Sequence, residues 1–438
     1  MAGSYPNRTF AEKRRLRPGS PIIGSGPTME DLISRRTVLR AGGMIAVGLV
    51  APRWLSTIAQ ADVIRQASGG KAASDTILVV CQLSGGNDGL NTVVPYADKA
   101  YYTLRPGLGI AEKDVLKLDD SVGLHPSLAG LHTLYKENKV AIVGNVGYPK
   151  PNRSHFKSME IWQTASPEKM MSTGWLGRQL DVDLSHHPLN PVMALGLSTE
   201  RPLALAAQKA SVPCFASLAD VQGLIGDADS ERMLREIQGM DAMTGSSTAA
   251  VQQASKSALD AMSILTKQLK GYEPKQTYAN DAFGNGFKQI AQLIATSPAT
   301  RVVYFSAGGF DTHARQPDQH ARLLKGYGDA VLAFQREMEA LGKDKKVVVL
   351  TFSEFGRRAQ ENASLGTDHG AAAPMFLVGS KVKGGLHGAK PDLQNLENGD
   401  VAHKIDFREV YAATLDTWMG GDSEVVLGQK FAPLGVFA

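Results

Sequence analysis

Residues 77–91 read ILVVCQLSGGNDGLN, an apolar run followed by glycines and polar residues. An uncharged run of this length is typical of a strand that is buried on both faces, as in a parallel sheet. Similar runs follow along the chain at Val140–Val146, Val192–Leu197, Val302–Ser306, Val347–Phe352 and Met375–Val378. Together they predict one mostly parallel sheet.

Helical periodicity lies between these runs. Apolar residues recur at three- and four-residue spacing from Leu323 to Leu341, and a second such pattern begins near Pro126. Strands that alternate with helices predict an α/β fold, a doubly wound sheet flanked by helices, which we assign to residues 75–438. Within it, residues 229–272 are rich in Ala, Ser, Gln, Met and Lys and contain no strand-like run, so we expect a helical insertion there.

The N-terminal region has the three parts of an export signal, in the right order. Residues 34–40 read SRRTVLR, with two adjacent arginines, and the stretch Ala41–Pro52 that follows is uncharged. That stretch is too short to cross about 30 Å of hydrocarbon. Ala59-Gln60-Ala61 then supplies a cleavage site between small residues. We therefore predict a twin-arginine signal peptide over residues 1–61, with translation starting at Met1 or Met29.

The net charge of +4 comes from this leader. Residues 1–61 contain nine of the 47 Lys and Arg residues and three of the 43 Asp and Glu residues, which leaves 38 basic and 40 acidic side chains in the rest. A nucleic-acid-binding domain presents a basic face, and this composition offers none. After a polar linker over residues 62–74, no stretch approaches the about 18 apolar residues of a membrane span. We expect a periplasmic or secreted protein, exported by the twin-arginine translocase, with no membrane span in the mature chain.

Polar residues follow nearly every predicted strand, at the edge where open parallel sheets bind ligands. In chain order they are Asp88, Arg153, Ser154, His155, Asp311, His313, Glu354, Arg357, Asp368 and His369, the last two preceding the final run. Carboxylates and imidazoles without thiolates suit Zn²⁺, Mn²⁺ or Mg²⁺. One or two such ions would stabilise displacement at phosphorus or sulfur. Because Asp and Ser also cap helices, the prediction rests on the joint placement of these residues at one edge.

Long motifs run from the leader to near the C-terminus. They include GGNDGLNTVVPY, PNRSHFKSMEIWQTA, TGWLGRQLD, GGFDTHARQ, TFSEFGRRAQEN, TDHGAAAPMFLVG and VKGGLHG. In these motifs the sequence resembles a bacterial family catalogued as domain of unknown function 1501 (DUF1501). That family is grouped with the alkaline phosphatase-like superfamily, which includes sulfatases and cofactor-independent phosphoglycerate mutases. The resemblance implies an alkaline phosphatase-like fold.

The resemblance also implies roles for individual residues. Asp88 matches the superfamily's first aspartate, and Ser154 stands where its hydroxyl nucleophile opens a helix. Asp311 and His313 resemble a shortened form of one metal-binding pair. His369 resembles the late histidine that precedes an apolar strand.

The second metal site of the superfamily departs from this pattern. It uses an Asp-His pair where this chain has Glu354-Phe355, so one histidine is missing. His155 or Asp368 are the residues that would compensate. The resemblance therefore leaves one or two ions open.

The leading hypothesis is an exported, metal-dependent hydrolase of phosphate or sulfate esters, on small molecules or a polymer. Ser154 is the expected nucleophile, activated by metal coordination, and His155 the expected general acid or base. Arg153 or Arg357 is expected to hold the anionic group. The expected metal-binding residues are Asp88, Asp311, His313, Glu354, Asp368 and His369.

Two alternative hypotheses about function also fit the sequence. The altered second metal site also fits a non-catalytic or binding member of the same fold, acting in the cell envelope. A metal-dependent transferase or isomerase would use the same serine with an acceptor other than water.

Overall fold

The computed structural model describes residues 75–184, 190–219 and 246–438, together with positions 221, 232 and 236. The predicted signal peptide and linker lie outside the described residues, as does most of the first part of the predicted insertion, residues 229–245. These three assignments stay predictions.

Strands form at all six predicted apolar runs, with bounds that differ by at most two residues. In chain order the strands are β1 (Ile77–Leu83), β2 (Val93–Val94), β3 (Leu116–Lys117), β4 (Gly123–Leu124), β5 (Val140–Gly147), β6 (Ala194–Leu197), β7 (Cys214–Phe215), β8 (Val302–Ala307), β9 (Val347–Phe352), β10 (Ala373–Val378), β11 (Gly385–Gly388) and β12 (Ile405–Asp406). The six predicted runs correspond to β1, β5, β6, β8, β9 and β10. All six belong to one large sheet.

Helices occupy much of the chain between these strands. They are α1 (Gly89–Thr92), α2 (Lys99–Leu104), α3 (Ala129–Lys136), α4 (His155–Thr164), α5 (Trp175–Leu184), α6 (Ser246–Gln268), α7 (Ala282–Thr296), α8 (Gln316–Ala340), α9 (Phe407–Ala413) and α10 (Ser423–Leu427). The two periodic patterns correspond to α3 and α8, and α6 lies within the predicted insertion. Among the residues that the structure describes, no helix combines the length and the hydropathy that a membrane crossing requires.

The large sheet has the order β11-β5-β10-β9-β1-β8-β6-β7, with β12 beside β5. Neighbouring strands run parallel except at β10, which is antiparallel to both β9 and β5. The prediction of a mostly parallel sheet flanked by helices is confirmed, with β10 as the exception. The connection from β9 to β10, residues 353–372, contains no helix, the element that usually joins parallel strands. The segment before β10 therefore lies at the edge where the parallel strands end.

The core has two layers because alternate residues of each strand face opposite sides of the sheet. Ile77, Val79 and Cys81 of β1 pack in a cluster with side chains of α3, α7 and α8. Leu78 and Val80 pack in a second cluster with α4, α5 and α9. All five side chains are nearly inaccessible to solvent. Burying a Val, Leu or Ile side chain contributes roughly 1.5–3 kcal/mol, so the sheet is a rigid support for the loops at its edge.

Helix α4 is fixed to the sheet by Trp162. Its ring stacks on Phe352 of β9, with centroids 5.3 Å apart, and contacts Phe407 of α9 at 4.5 Å. Tyr148, just after β5, hydrogen-bonds Ser158 at 2.9 Å. Because α4 begins at His155, these contacts place its first turn at the carboxyl edge of the sheet.

Candidate metal centre

Four of the predicted site residues converge at the carboxyl edge of the sheet. Asp311 and His313 follow β8, His155 opens α4 after β5, and His369 precedes β10. Ligand atoms of His155, Asp311 and His369 lie within 4.8 Å of one another. The antiparallel direction of β10 is what brings His369 to this edge.

The three imidazoles present the same ring atom to the Asp311 carboxylate. Oδ1 of Asp311 lies 3.0 Å from Nε2 of His313 and 3.0 Å from Nε2 of His369. Oδ2 lies 3.4 Å from Nε2 of His155. The Nε2 atoms of His313 and His369 are themselves 2.9 Å apart.

The other ring nitrogen, Nδ1, faces an acceptor in each histidine. The pairs are His155 with Glu354 Oε1 at 3.0 Å, His313 with Asp368 Oδ1 at 3.2 Å, and His369 with the Arg153 carbonyl at 2.8 Å. Carboxylate and carbonyl oxygens only accept, so we assign the proton of each ring to Nδ1. Backing a ligand histidine with an oxygen acceptor is the usual way to direct Nε2 at a metal.

This donor set fits a divalent metal ion. Two unprotonated Nε2 atoms 2.9 Å apart direct lone pairs at each other, an arrangement that a cation between them relieves. Three imidazole nitrogens and one carboxylate form a borderline ligand set, suited to Zn²⁺ and accessible to Mn²⁺. The Asp311 side chain is 47 % exposed, so an ion held here would be reached from solvent.

Arg357 holds the Asp311 carboxylate in place by an ion pair. Its side chain is buried, and its guanidinium donates to four backbone carbonyls and, at 2.7 Å, to Asp311 Oδ1. Partial burial acts to raise the pKa of Asp311, but the hydrogen bond and the positive charge of Arg357 act against it, and the pKa is lowered to about 2. Asp311 is therefore charged at neutral pH. The sequence predicts that Arg357 could hold an anionic substrate group. The structure does not fit that prediction, because the guanidinium is engaged by these backbone carbonyls and by Asp311.

Glu354 and Phe355 support the histidines without joining the cluster of ligand atoms. Glu354 is fully buried and accepts hydrogen bonds from the Gly85 N–H at 2.8 Å and from His155. Its hydrogen bond raises the pKa of His155. Phe355, where the resemblance expects a histidine, is buried and contacts the rings of His155 and His369 at 4.9 Å and 4.5 Å. His155 supplies an imidazole from α4 instead.

Asp88 lies outside the cluster. It caps α1, and its carboxylate forms a fully buried ion pair with Arg105 at 2.6 Å and accepts from Gln316. Burial acts to raise the pKa of Asp88, but the charge and hydrogen bond of Arg105 outweigh it and lower the pKa. This geometry gives Asp88 a structural role, so we leave it out of the metal centre. No motif had indicated Arg105, because nothing in its local sequence marks it as a partner of Asp88.

Ser154 is adjacent in the chain to the cluster of His155, Asp311, His313 and His369. It is exposed, it holds the N-cap position of α4, and its hydroxyl makes no capping hydrogen bond and has no partner among the described residues. The next residue, His155, belongs to the cluster, and the carbonyl of the preceding Arg153 contacts His369. The guanidinium of Arg153 points elsewhere and donates to Asp400.

Residues 74–429 match a family described as protein of unknown function, DUF1501. The chain belongs to the DUF1501 family. A search of curated proteins found no match. The membership of this family that the sequence motifs predicted is therefore confirmed.

Solved structures are similar to this DUF1501 chain at low identity. Ps i-CgsB matches with 9 % identity and a TM-score of 0.36, over 81 % of this chain and 73 % of that one. The C-terminal periplasmic domain of EcEptC from Escherichia coli, in complex with Zn, matches with 11 % identity and a TM-score of 0.30, over 71 % and 74 %. The lipoteichoic acid synthase LtaP from Listeria monocytogenes matches with 9 % identity and a TM-score of 0.30, over 86 % and 79 %. Scores this low support no inference about this chain.

The loop after β1 offers a test of the metal centre. Gly85 has φ +120°, and a Cβ built on it would lie 2.4 Å from the backbone nitrogen of Asp311. We expect Gly85→Ala to displace Asp311 and to lower the metal content of the purified protein. Gly385→Ala is the matched control, because Gly385 has φ +122° with open space around it. Equal metal loss in both variants would show that backbone strain alone, and not the displacement of Asp311, is responsible.

The Asp88–Arg105 pair offers a second test. Arg105→Met leaves a buried carboxylate without its cation, so we expect the free energy of unfolding to fall by about 3–5 kcal/mol. The double variant Asp88→Asn/Arg105→Met should recover part of that loss. Denaturation measures the stability, and elemental analysis should find unchanged metal content in both variants. Metal loss without destabilisation would contradict the structural role of Asp88.

Proposed function

We propose that this protein is an exported, metal-dependent hydrolase of phosphate or sulfate esters, with Ser154 as nucleophile on an alkaline phosphatase-like fold. One observation carries the proposal. The exposed Ser154, whose hydroxyl has no hydrogen-bond partner among the described residues, lies in the chain between His155, a member of the cluster of three imidazoles and a carboxylate, and Arg153, whose carbonyl contacts that cluster.

The ligands of the proposed single ion are His155, Asp311, His313 and His369. Zn²⁺ or Mn²⁺ bound there would supply a Lewis acid that lowers the pKa of a coordinated hydroxyl and neutralises charge on the ester oxygens. Asp368 and Glu354 act through the histidines they orient. We assign His155 to the ligand set instead of the general acid or base role, because both of its ring nitrogens are engaged.

Ser154 would form a covalent intermediate. Its hydroxyl loses its proton to solvent, Oγ attacks phosphorus or sulfur, the bond to the ester oxygen breaks, and that oxygen takes a proton from solvent as the alcohol departs. Water then loses a proton as it attacks the same centre, the bond to Oγ breaks, and Oγ takes up a proton, so that the acid is released and the serine is restored. The position of Ser154 at the start of α4 adds the partial positive charge of a helix N-terminus, which favours an anionic substrate group.

Export of the protein in its folded state is consistent with a metal site whose ligands come from separate loops. The ligands come from loops far apart in the sequence, so the centre exists only in the folded chain. The twin-arginine route, for which residues 34–40 are the predicted signal, carries proteins that have already folded. We therefore propose that the protein acquires its metal before or soon after it reaches the periplasm or the exterior.

Ser154→Ala tests the nucleophile. On a panel of aryl phosphate and sulfate esters we expect turnover to fall at least about 10³-fold, as when a serine nucleophile is removed from other hydrolases. Metal content should not change, because no ligand is altered. Ser127→Ala, at the start of the short helix Pro126–Leu128, is the matched control and should keep full activity. Undiminished turnover in Ser154→Ala would contradict the mechanism, and metal without turnover in the wild type would favour the binding-protein reading.

A further inference from the structure

A cavity of about 480 Å³ opens beside the proposed active site. Its walls come from the loop after β5, including Lys150 and Arg153, and from the segment before β12, including Asp400 and His403. Cavities of this size are typical of sites for small molecules. No residue of the metal cluster lines it, so this space is distinct from the centre already described.

Arg153 connects the cavity to the metal centre. Its carbonyl accepts the Nδ1 proton of His369, while its side chain lines the cavity together with Asp400. Ser154 is the next residue along the chain. The wall of the cavity is therefore one residue away from the proposed nucleophile, which does not itself line it.

The guanidinium of Arg153 is oriented in advance. Its Nε, at 3.0 Å, and its Nη2 both donate to Oδ2 of Asp400, whose side chain is 3 % exposed. The Arg153 side chain itself is 37 % exposed. Its third nitrogen, Nη1, has no partner within the described part of the chain. A guanidinium fixed on one side and open on the other is suited to the oxygens of an anion.

Two further nitrogen groups line the same cavity without partners among the described residues. They are the Lys150 ammonium, which is exposed, and the half-buried ring of His403. Two carboxylates line the cavity as well. Asp400 accepts from Arg153 at Oδ2 only, and its buried Oδ1 has no partner among the described residues. Glu397 is exposed like Lys150. The lining is therefore close to neutral, and anion binding here would rely on the directional N–H donors of Arg153, Lys150 and His403 rather than on net charge.

We propose that this cavity binds a second anionic group of the substrate, a phosphate, sulfate or carboxylate carried on the alcohol side of the ester. The inference rests on the proposed function, because the metal centre would hold the ester that is cleaved. The substrates would then be polyanions, either small molecules with two anionic groups or a polymer that repeats them. Esters with a single charge would be poor substrates.

Lys150 provides a variant that separates binding from folding. It adopts φ +56°, a conformation that is strained for a lysine and free of strain for glycine. Lys150→Gly therefore removes the ammonium and relieves the backbone at once. If Lys150 had only a structural role, its substitution would not weaken anion binding while leaving the melting temperature unchanged or higher.

The experiment is a titration of the full chain with inorganic phosphate, followed by ³¹P NMR, with sulfate and acetate as competitors. We expect one phosphate site to persist in His155→Ala/His313→Ala, which removes two ligands of the proposed metal centre and keeps His369, whose ring donates to the Arg153 carbonyl in the cavity wall. Lys150→Gly and His403→Gln should each weaken that site about ten-fold, the loss expected for one hydrogen bond to a charged group. Competition by sulfate, or by acetate, identifies the class of anion preferred.

Two controls complete the design. Lys345→Gly removes an exposed lysine next to the amino end of β9 and should leave phosphate binding unchanged. Arg153→Gln/Asp400→Asn removes the buried ion pair as a unit, so that no carboxylate is left uncompensated, and should also weaken binding. It tests the guanidinium where Arg153→Gln alone risks misfolding.

The outcomes separate this inference from the proposed function. Phosphate binding that vanishes in His155→Ala/His313→Ala, or that is unchanged in Lys150→Gly and in the Arg153–Asp400 double variant, overturns the cavity site even if the wild type hydrolyses esters. Binding that follows these cavity variants supports the site even if no ester is turned over. In an active wild type, we expect Lys150→Gly to lower kcat/KM for a doubly charged ester about ten-fold and to spare a singly charged one.

Discussion

The site depends on the buried guanidinium of Arg357. It donates to backbone carbonyls in three loops, after β1, after β8 and before β10, and to the Asp311 carboxylate. A cation this deeply buried needs many acceptors to replace its lost hydration, and that requirement holds the three loops in one arrangement. Asp311 and His369 meet within 3.0 Å as a result, although 58 residues separate them.

The sheet could be predicted from the sequence because its signal is local. An uncharged apolar run reports burial on both faces of a strand, and all six runs proved to be strands. The direction of β10 was not predicted, since it depends on what the chain does between β9 and β10.

Part of the site could be predicted by the same reasoning. Asp311, His313 and His369 were indicated by their places at strand ends, and the structure brings them together. That signal does not separate a residue facing the open edge from one turned toward the core, because loops have no periodicity. Asp88 and Arg357 are turned inward, where their charges hold the scaffold together. His155 was noted for acid–base chemistry, and its position at the start of α4 places its Nε2 among the ligands instead.

We propose that His155, Asp311, His313 and His369 together bind one metal ion. Elemental analysis of the protein exported through its own leader tests it most directly, with His369→Ala and Asp311→Ala measured alongside. We expect about one Zn²⁺ or Mn²⁺ per wild-type chain and almost none in either variant. Circular dichroism should show that both variants keep the secondary structure of the wild type. Folded, freshly exported wild-type protein without a divalent metal would contradict the proposal, as would variants that keep the full metal content.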